Sequence, residues 1–135
     1  LMCCMKVFSK MKKGNLKMNE NIFWVFETEV SGDLEKIVSL MDEMTEYTKA
    51  NAPGTLFFEL YISEDNKKVT LFERFDNSAS ALAQATIFRK NFAMRYMENL
   101  KPKKFTVFGN PDETLKAALD KLGSVYMIPI GGFSR

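Results

Sequence analysis

Residues 51–75, NAPGTLFFELYISEDNKKVTLFERF, constrain the fold more than any other stretch of this chain. Pro53 fixes φ and Gly54 tolerates positive φ, so the pair stops a preceding helix and launches an extended segment at Thr55. Residues 55–62 and 69–75 are rich in aromatic and β-branched side chains, and the polar run Ser63-Glu64-Asp65-Asn66-Lys67 between them is a turn signal. The pattern predicts an antiparallel hairpin at the centre of the domain. Alternation along a strand then puts Glu59 and Tyr61 on one face, and Glu73 and Phe75 on a face opposite to Arg74.

The flanking sequence supplies what packs on that hairpin. Residues 22–30 read as a strand, apolar on both faces in its first half. Ser31-Gly32-Asp33 offers helix-start chemistry, and Leu34, Ile37, Val38, Met41, Met44 and Tyr47 follow at helical spacing to about Ala50. Asn77-Ser78 caps a second helical region carrying Leu82, Ala85, Phe88, Phe92 and Tyr96, with a break near Thr86 and an end at Pro102. A short strand at 105–108 closes on Gly109. Asn110-Pro111-Asp112-Glu113 combines a capping Asn, Pro at the first helical position and a Glu three residues after the cap. The third helix buries Leu115, Ala118, Leu119 and Leu122 and stops at Gly123, and residues 125–130 are extended, with Pro129 suited to an edge or a strand end.

Strand, helix, strand, strand, helix, strand is the α+β, ferredoxin-like split βαβ order, an antiparallel sheet with its helices on one face. Helices protect that face only, whereas Trp24 and Phe26 oppose Phe23 and Val25, and Phe58 and Leu60 oppose Phe57 and Tyr61. A second copy packed sheet to sheet is the simplest cover for the other face, giving a homodimer. A C-terminal extension folded back over it is the competing one.

Composition excludes several classes. At 46% hydrophobic and 27% charged residues the chain is one globular domain, and a net charge of +2 without a basic stripe argues against nucleic acid. It has no apolar run long enough for a membrane span or a signal-peptide core. Cys3 and Cys4 are adjacent, cannot staple a core and lack metal-ligand spacing, and histidine is absent altogether. With no Gly-rich phosphate loop after a strand, the expectation is a cytoplasmic protein that binds no metal, haem or flavin tightly. Residues 1–20, basic and Met-rich, read either as a flexible leader or mis-called start, with Met18 the alternative start, or as a basic tail for an anionic partner.

Gly32 with its following helix, Ala52-Pro53-Gly54 leading into Phe58-Glu59-Leu60-Tyr61, and Leu71-Phe72-Glu73-Arg74-Phe75 leading into Asp76-Asn77-Ser78-Ala79-Ser80-Ala81-Leu82 resemble the antibiotic biosynthesis monooxygenase family of dimeric α+β barrels. The resemblance covers residues 21–109, and 110–135 read as an extension of the same domain. It implies a homodimer, a small cavity between sheet and helices, and a spread of activities that includes cofactor-independent oxygenation of quinols and polycyclic aromatics, haem degradation and sugar-phosphate isomerisation. This chain departs from the pattern. Many members have Trp where Phe75 stands and His near Gln84 or Ala85; without histidine, haem loses its usual axial ligand and a His base is excluded.

Cofactor-free oxygenation needs a base or hydrogen-bond donors to generate and hold a substrate anion in a dry pocket. The resemblance therefore points to Glu59, Glu73 and Arg74 as catalytic candidates. Trp24, Glu27, Tyr61, Phe75, Arg89 and Tyr96 are candidates for binding a small hydrophobic or aromatic ligand. The first three are otherwise ion-pair partners across strands or subunits, and Trp24, Phe75 and Tyr96 otherwise plain core. Three readings stay open: a cofactor-independent monooxygenase of a small aromatic or quinol substrate, a non-catalytic ligand-binding barrel, and a structural dimer whose aromatics fill the space.

Overall fold

The middle strand of the sheet is the first one. In the computed structural model, which describes residues 20–135, β1 (Ile22–Val30) pairs antiparallel with β3 (Lys68–Phe75) on one side and β4 (Leu100–Phe108) on the other. β2 (Thr55–Ile62) adds to β3, and β5 (Val125–Met127) runs parallel to β4, for the order β2-β3-β1-β4-β5. The predicted hairpin is present, but it forms one flank of the sheet; β1 takes the centre because it is apolar on both faces and pairs along both edges. The leader, the alternative start at Met18 and both cysteines lie outside the described residues.

Four helices follow from their caps. α1 (Leu34–Asn51) starts at Asp33, whose carboxylate accepts from the amides of Glu35 and Lys36 at 2.9 and 3.4 Å. α2 (Ser78–Asn91) is capped by Asn77, which accepts from the Ser80 amide at 2.9 Å. The break in this region falls at Phe92, not near Thr86: Phe92 is buried with φ −128°, and α3 (Ala93–Asn99) begins after it. α4 (Glu113–Asp120) is capped by Asp112, whose side chain accepts from Leu115 at 2.8 Å, so Asn110 and Pro111 precede the cap. On α1 the buried positions are Ile37, Leu40, Met44 and Thr48, while Val38 is 53% exposed.

β4 also begins earlier than its pattern predicts, at Leu100, and carries Pro102 inside it. Proline is tolerated there because the register shifts between Glu27 and Thr28, and because β5 pairs only with Thr106 to Phe108, leaving the Pro102 end of β4 a free edge. Gly54 is required for space, not for positive φ: a Cβ there would lie 2.0 Å from Ser80 Oγ at the start of α2.

Helices cover one sheet face in two apolar clusters. Ile22, Trp24, Phe75, Ala81, Val107, Leu115 and Leu119 form one; Ile37, Leu40, Met44, Val69, Phe92, Tyr96 and Leu100 form the other. α4 contributes Leu115 and Leu119 to the first cluster. The opposite face is open. Phe23 packs on Phe57, Phe72 and Phe108 there, with ring centroids 5.5, 6.2 and 5.3 Å away. The segment after β5 reaches this side through Ser134, which accepts from Arg74 at 3.3 Å. It does not cover the face, since Ile130 is 69% and Phe133 80% exposed.

Gly109 ends β4 with φ 120°, and a Cβ there would stand 2.7 Å from the Asn21 carbonyl oxygen. Gly109→Ala is expected to lower stability by about 2 kcal/mol, from strain at a glycine-only conformation plus the clash. Urea unfolding measures it; an unchanged midpoint would mean that the β1 and β4 ends relax freely.

Candidate functional site

The helix-covered face carries one carboxylate. Strand alternation turns Val69, Leu71, Glu73 and Phe75 of β3 inward, and register sets Glu73 between Trp24 of β1 and Phe58 of β2. Glu73 is 4% exposed and stands at the seam between the two apolar clusters, with Trp24 and Phe75 on one side and Tyr96 and Val69 on the other.

Among the described residues no cation meets it: the ion pairs are Arg95–Glu43, Lys103–Glu29 and Lys116–Asp120, so Glu59, Glu73 and Arg74 form no pair across strands within the chain. Neutral donors hold Glu73 instead: Trp24 Nε1 donates to Oε2, and Gln84 Nε2 donates to Oε1 at 3.2 Å. Gln84 Nε2 also donates to Thr48 Oγ1 at 3.1 Å, linking α2 and α1 to β3. Burial disfavours the charged form and pushes the Glu73 carboxyl up from 4.5 to about 7, against the smaller opposing pull of the Trp24 and Gln84 hydrogen bonds. In a chain without histidine, a carboxyl group takes over the neutral range.

Tyr96 of α3 lies beside this group, stacked on Phe26 at 5.5 Å and edge-on to Phe88 at 5.3 Å. Its hydroxyl is buried and completes no hydrogen bond; the Thr28 hydroxyl is near enough to favour the phenolate but spends its hydrogen on the Val69 carbonyl at 2.7 Å. Burial, with the Glu73 charge adding to it, keeps the phenol neutral well above its usual range. Trp24 and Phe75 pack on each other beside it, with ring centroids 4.5 Å apart.

The other candidates lie elsewhere. Glu59 and Tyr61 face the open side, where the Tyr61 hydroxyl donates to Glu59 Oε1 at 3.0 Å, a bond that raises the phenol's pKa. They line an open depression of about 560 Å3 with Phe57, Phe72, Thr70 and Lys68. Arg74 and Glu27 are on this same face, Glu27 opposite Thr70 and Lys104. Arg89 is exposed on α2. The structure therefore brings together Trp24, Glu73, Phe75 and Tyr96, and separates them by the thickness of the sheet from Glu27, Glu59, Tyr61 and Arg74. Gln84, Thr48 and Thr28 complete the buried group and were not among the predicted residues. The available signal was a polar residue at the inward helical position three after Ala81. Among the described residues no cluster of His, Cys, Asp or Glu is placed to hold a metal ion, and no helix is long and apolar enough to cross a membrane.

A raised carboxyl pKa makes neutral pH unfavourable to the fold. The unfolded chain ionises Glu73 near 4.5 and the folded chain near 7, so stability is full below about pH 4.5 and falls by up to about 3 kcal/mol as pH rises to 7. Glu73→Gln is expected to remove that fall, so that it is more stable than the unmodified protein at pH 8 but not at pH 4. Urea midpoints for both proteins across this range check it; parallel curves would show that Glu73 ionises normally in the fold.

No protein-family model matches the chain, and no curated protein does. Solved structures do. MupZ from Pseudomonas fluorescens superposes with a TM-score of 0.75 at 16% identity over 87% of this chain and 96% of its own. SnoaB from Streptomyces nogalater, described as a cofactor-independent oxygenase, gives 0.59 at 12% identity over 69% and 95%. A Caulobacter crescentus protein provisionally named an antibiotic biosynthesis monooxygenase gives 0.57 at 17% over 69% and 90%. The MupZ match exceeds what residues 21–109 alone can supply, so the likeness extends beyond the part that carries the sequence resemblance. The chain has the ferredoxin-like α+β fold of the structures named antibiotic biosynthesis monooxygenases.

Proposed function

We propose that this chain is a cofactor-independent monooxygenase of the antibiotic biosynthesis type, acting on a small aromatic or quinol substrate with Glu73 as its base. The observation that carries this reading is a carboxylate buried without a cation, poised near neutrality among aromatic side chains. A base with a pKa near the working pH combines availability with driving force, and a dry site strengthens it. The fold shared with SnoaB, a cofactor-independent oxygenase by its description, agrees with it.

In this reading Glu73 takes the hydroxyl proton of a phenolic substrate. The resulting anion is electron-rich enough to reduce O2 itself, and a carbon–oxygen bond forms at the ring carbon to give a peroxide. The ring carbon then loses its hydrogen as the O–O bond breaks. One oxygen atom stays in the product as a carbonyl and the other leaves as water, with Glu73 returning its proton. The Tyr96 hydroxyl, buried and held neutral beside the Thr28 hydroxyl, is suited to steady the developing oxyanion. Trp24 and Phe75 offer stacking surfaces. Glu27, Glu59, Tyr61, Arg74 and Arg89 have no part in this site.

The second reading, a non-catalytic ligand-binding or structural barrel, is favoured by one feature: the open depression lies on the face away from Glu73. We assign that face to a second copy of the chain. Phe23, Phe57, Phe72 and Phe108 form an apolar area at one end of it, and Glu27 and Glu29 alternate with Lys68, Lys101 and Lys104 at the other. Covering a standard ~800 Å2 per partner leaves several kcal/mol after the cost of association. The working unit is then a cytoplasmic homodimer.

Two measurements test these readings. Oxygen uptake with a panel of hydroquinones and hydroxylated polycyclic aromatics is expected to occur without added cofactor and to fall by about 10²- to 10⁴-fold in Glu73→Gln; equal rates in the variant would remove Glu73 as base. Light scattering at micromolar concentration is expected to give twice the 15.5 kDa of one chain. A mass of 15.5 kDa would reject the dimer.

A further inference from the structure

Both oxygens of Glu73 face groups that can only donate. Trp24 Nε1–H points at Oε2 and the Gln84 amide nitrogen at Oε1, and neither an indole N–H nor an amide NH2 accepts. That arrangement suits the carboxylate and leaves the neutral acid's hydroxyl without an acceptor. Burial without a cation favours the neutral acid. A base must also pass through both forms in every turnover.

Gln84 holds the missing acceptor. Its Oε1 is buried and accepts no hydrogen bond, while Nε2 makes both of the amide's contacts. A half-turn about the last side-chain bond exchanges the two atoms. Oε1 then stands between Glu73 and Thr48, where it accepts from the acid's hydroxyl and from the Thr48 hydroxyl, which rotates to donate as readily as it now accepts. Both hydrogen bonds reverse, and the amide atom left without a partner changes from the oxygen to the nitrogen.

We infer that Gln84 is the positioning residue for Glu73, its amide turning over with the proton so that it donates to the carboxylate and accepts from the acid. The inference rests on the reading of Glu73 as a base that cycles. Glu73 is faced by Trp24 from β1, Gln84 from α2 and Tyr96 from α3, with Thr48 of α1 behind the Gln84 amide. Of these only Tyr96 titrates, and burial keeps it neutral. The proton is thereby held in the dry layer through oxygenation and handed back without contact with water.

Gln84→Met keeps the length of the side chain and removes both donor and acceptor. Glu73 is followed by its carboxyl carbon resonance and by the emission of Trp24, the one tryptophan of the chain, with urea midpoints taken at about pH 5 and about pH 9. If the amide serves both forms, the Glu73 midpoint moves by less than about one pH unit and the urea midpoint falls at both pH values. A midpoint displaced by about one unit or more, with stability lost on one side only, means that Gln84 serves one form and overturns the inference. The unmodified protein gives a second measurement should the variant not fold. Nuclear Overhauser contacts from the Gln84 amide hydrogens to the Thr48 side chain are expected at high pH and lost at low pH. Contacts unchanged through the titration overturn it. Absence of oxygen uptake with these results intact removes the oxygenase reading and leaves the role of Gln84 standing.

Discussion

A carboxylate taken out of water without a cation is the constraint to which the helix layer answers. Desolvating Glu73 costs several kcal/mol if it stays ionised, and the described residues supply no lysine or arginine alongside, the usual remedy. What replaces it is a pair of neutral donors from different elements, the indole of β1 and the amide of α2, and the amide is held in turn by the α1 hydroxyl that accepts from it. Because each partner belongs to a separate element, the packing of both helices on the sheet and the environment of Glu73 are one problem. The two apolar clusters meet at this polar seam, which is why Trp24 and Tyr96, large and amphipathic, stand on either side of it.

The sheet separates two kinds of surface. On the helix side the cross-strand row Phe58, Glu73, Trp24, Val107 is closed by side chains from above. On the other side the row Phe57, Arg74, Phe23, Phe108 has no layer over it, and the next rows pass from Phe72 and Val25 to Thr70, Glu27 and Lys104. Polarity therefore increases along the strands on the open face, whereas on the closed face one acid is set among apolar residues. A surface graded in this way suits association, and an isolated buried acid suits chemistry.

Most of the fold was legible because it is written in local patterns: alternation in residues 22–30 and 55–75, the caps Asp33 and Asn77, and Pro53-Gly54 between helix and strand. What misread was decided by tertiary context. Pro102 reads as a helix stop, yet it lies within β4 because an unpaired edge and a register shift remove the need for its amide hydrogen. The break at Phe92 follows from burying a ring between α1 and the sheet, where Tyr47 meets it edge-on at 5.5 Å. The faces of Glu59, Tyr61, Glu73, Phe75 and Arg74 were legible from alternation alone. Which of the two faces the helices would cover was not, since both are apolar around β1. For the same reason Glu59 and Glu73 looked equivalent until the helices were placed.

Histidine's absence gives the last step. A chain that needs a proton acceptor near neutrality ordinarily uses imidazole, whose intrinsic pKa requires little adjustment. Here a carboxyl group is raised from 4.5 to about 7, and burial is the main cause. Burial in turn demands that each carboxyl oxygen be met, since water or a counter-ion there would restore an ordinary carboxylate. Gln84, at the inward helical position, answers that demand in a way no charged residue can: a lysine there would pull the Glu73 carboxyl back down, and a leucine would leave Oε1 bare. An amide is neutral and can turn either its NH2 or its oxygen to Glu73, so it stabilises the acid without choosing its protonation state.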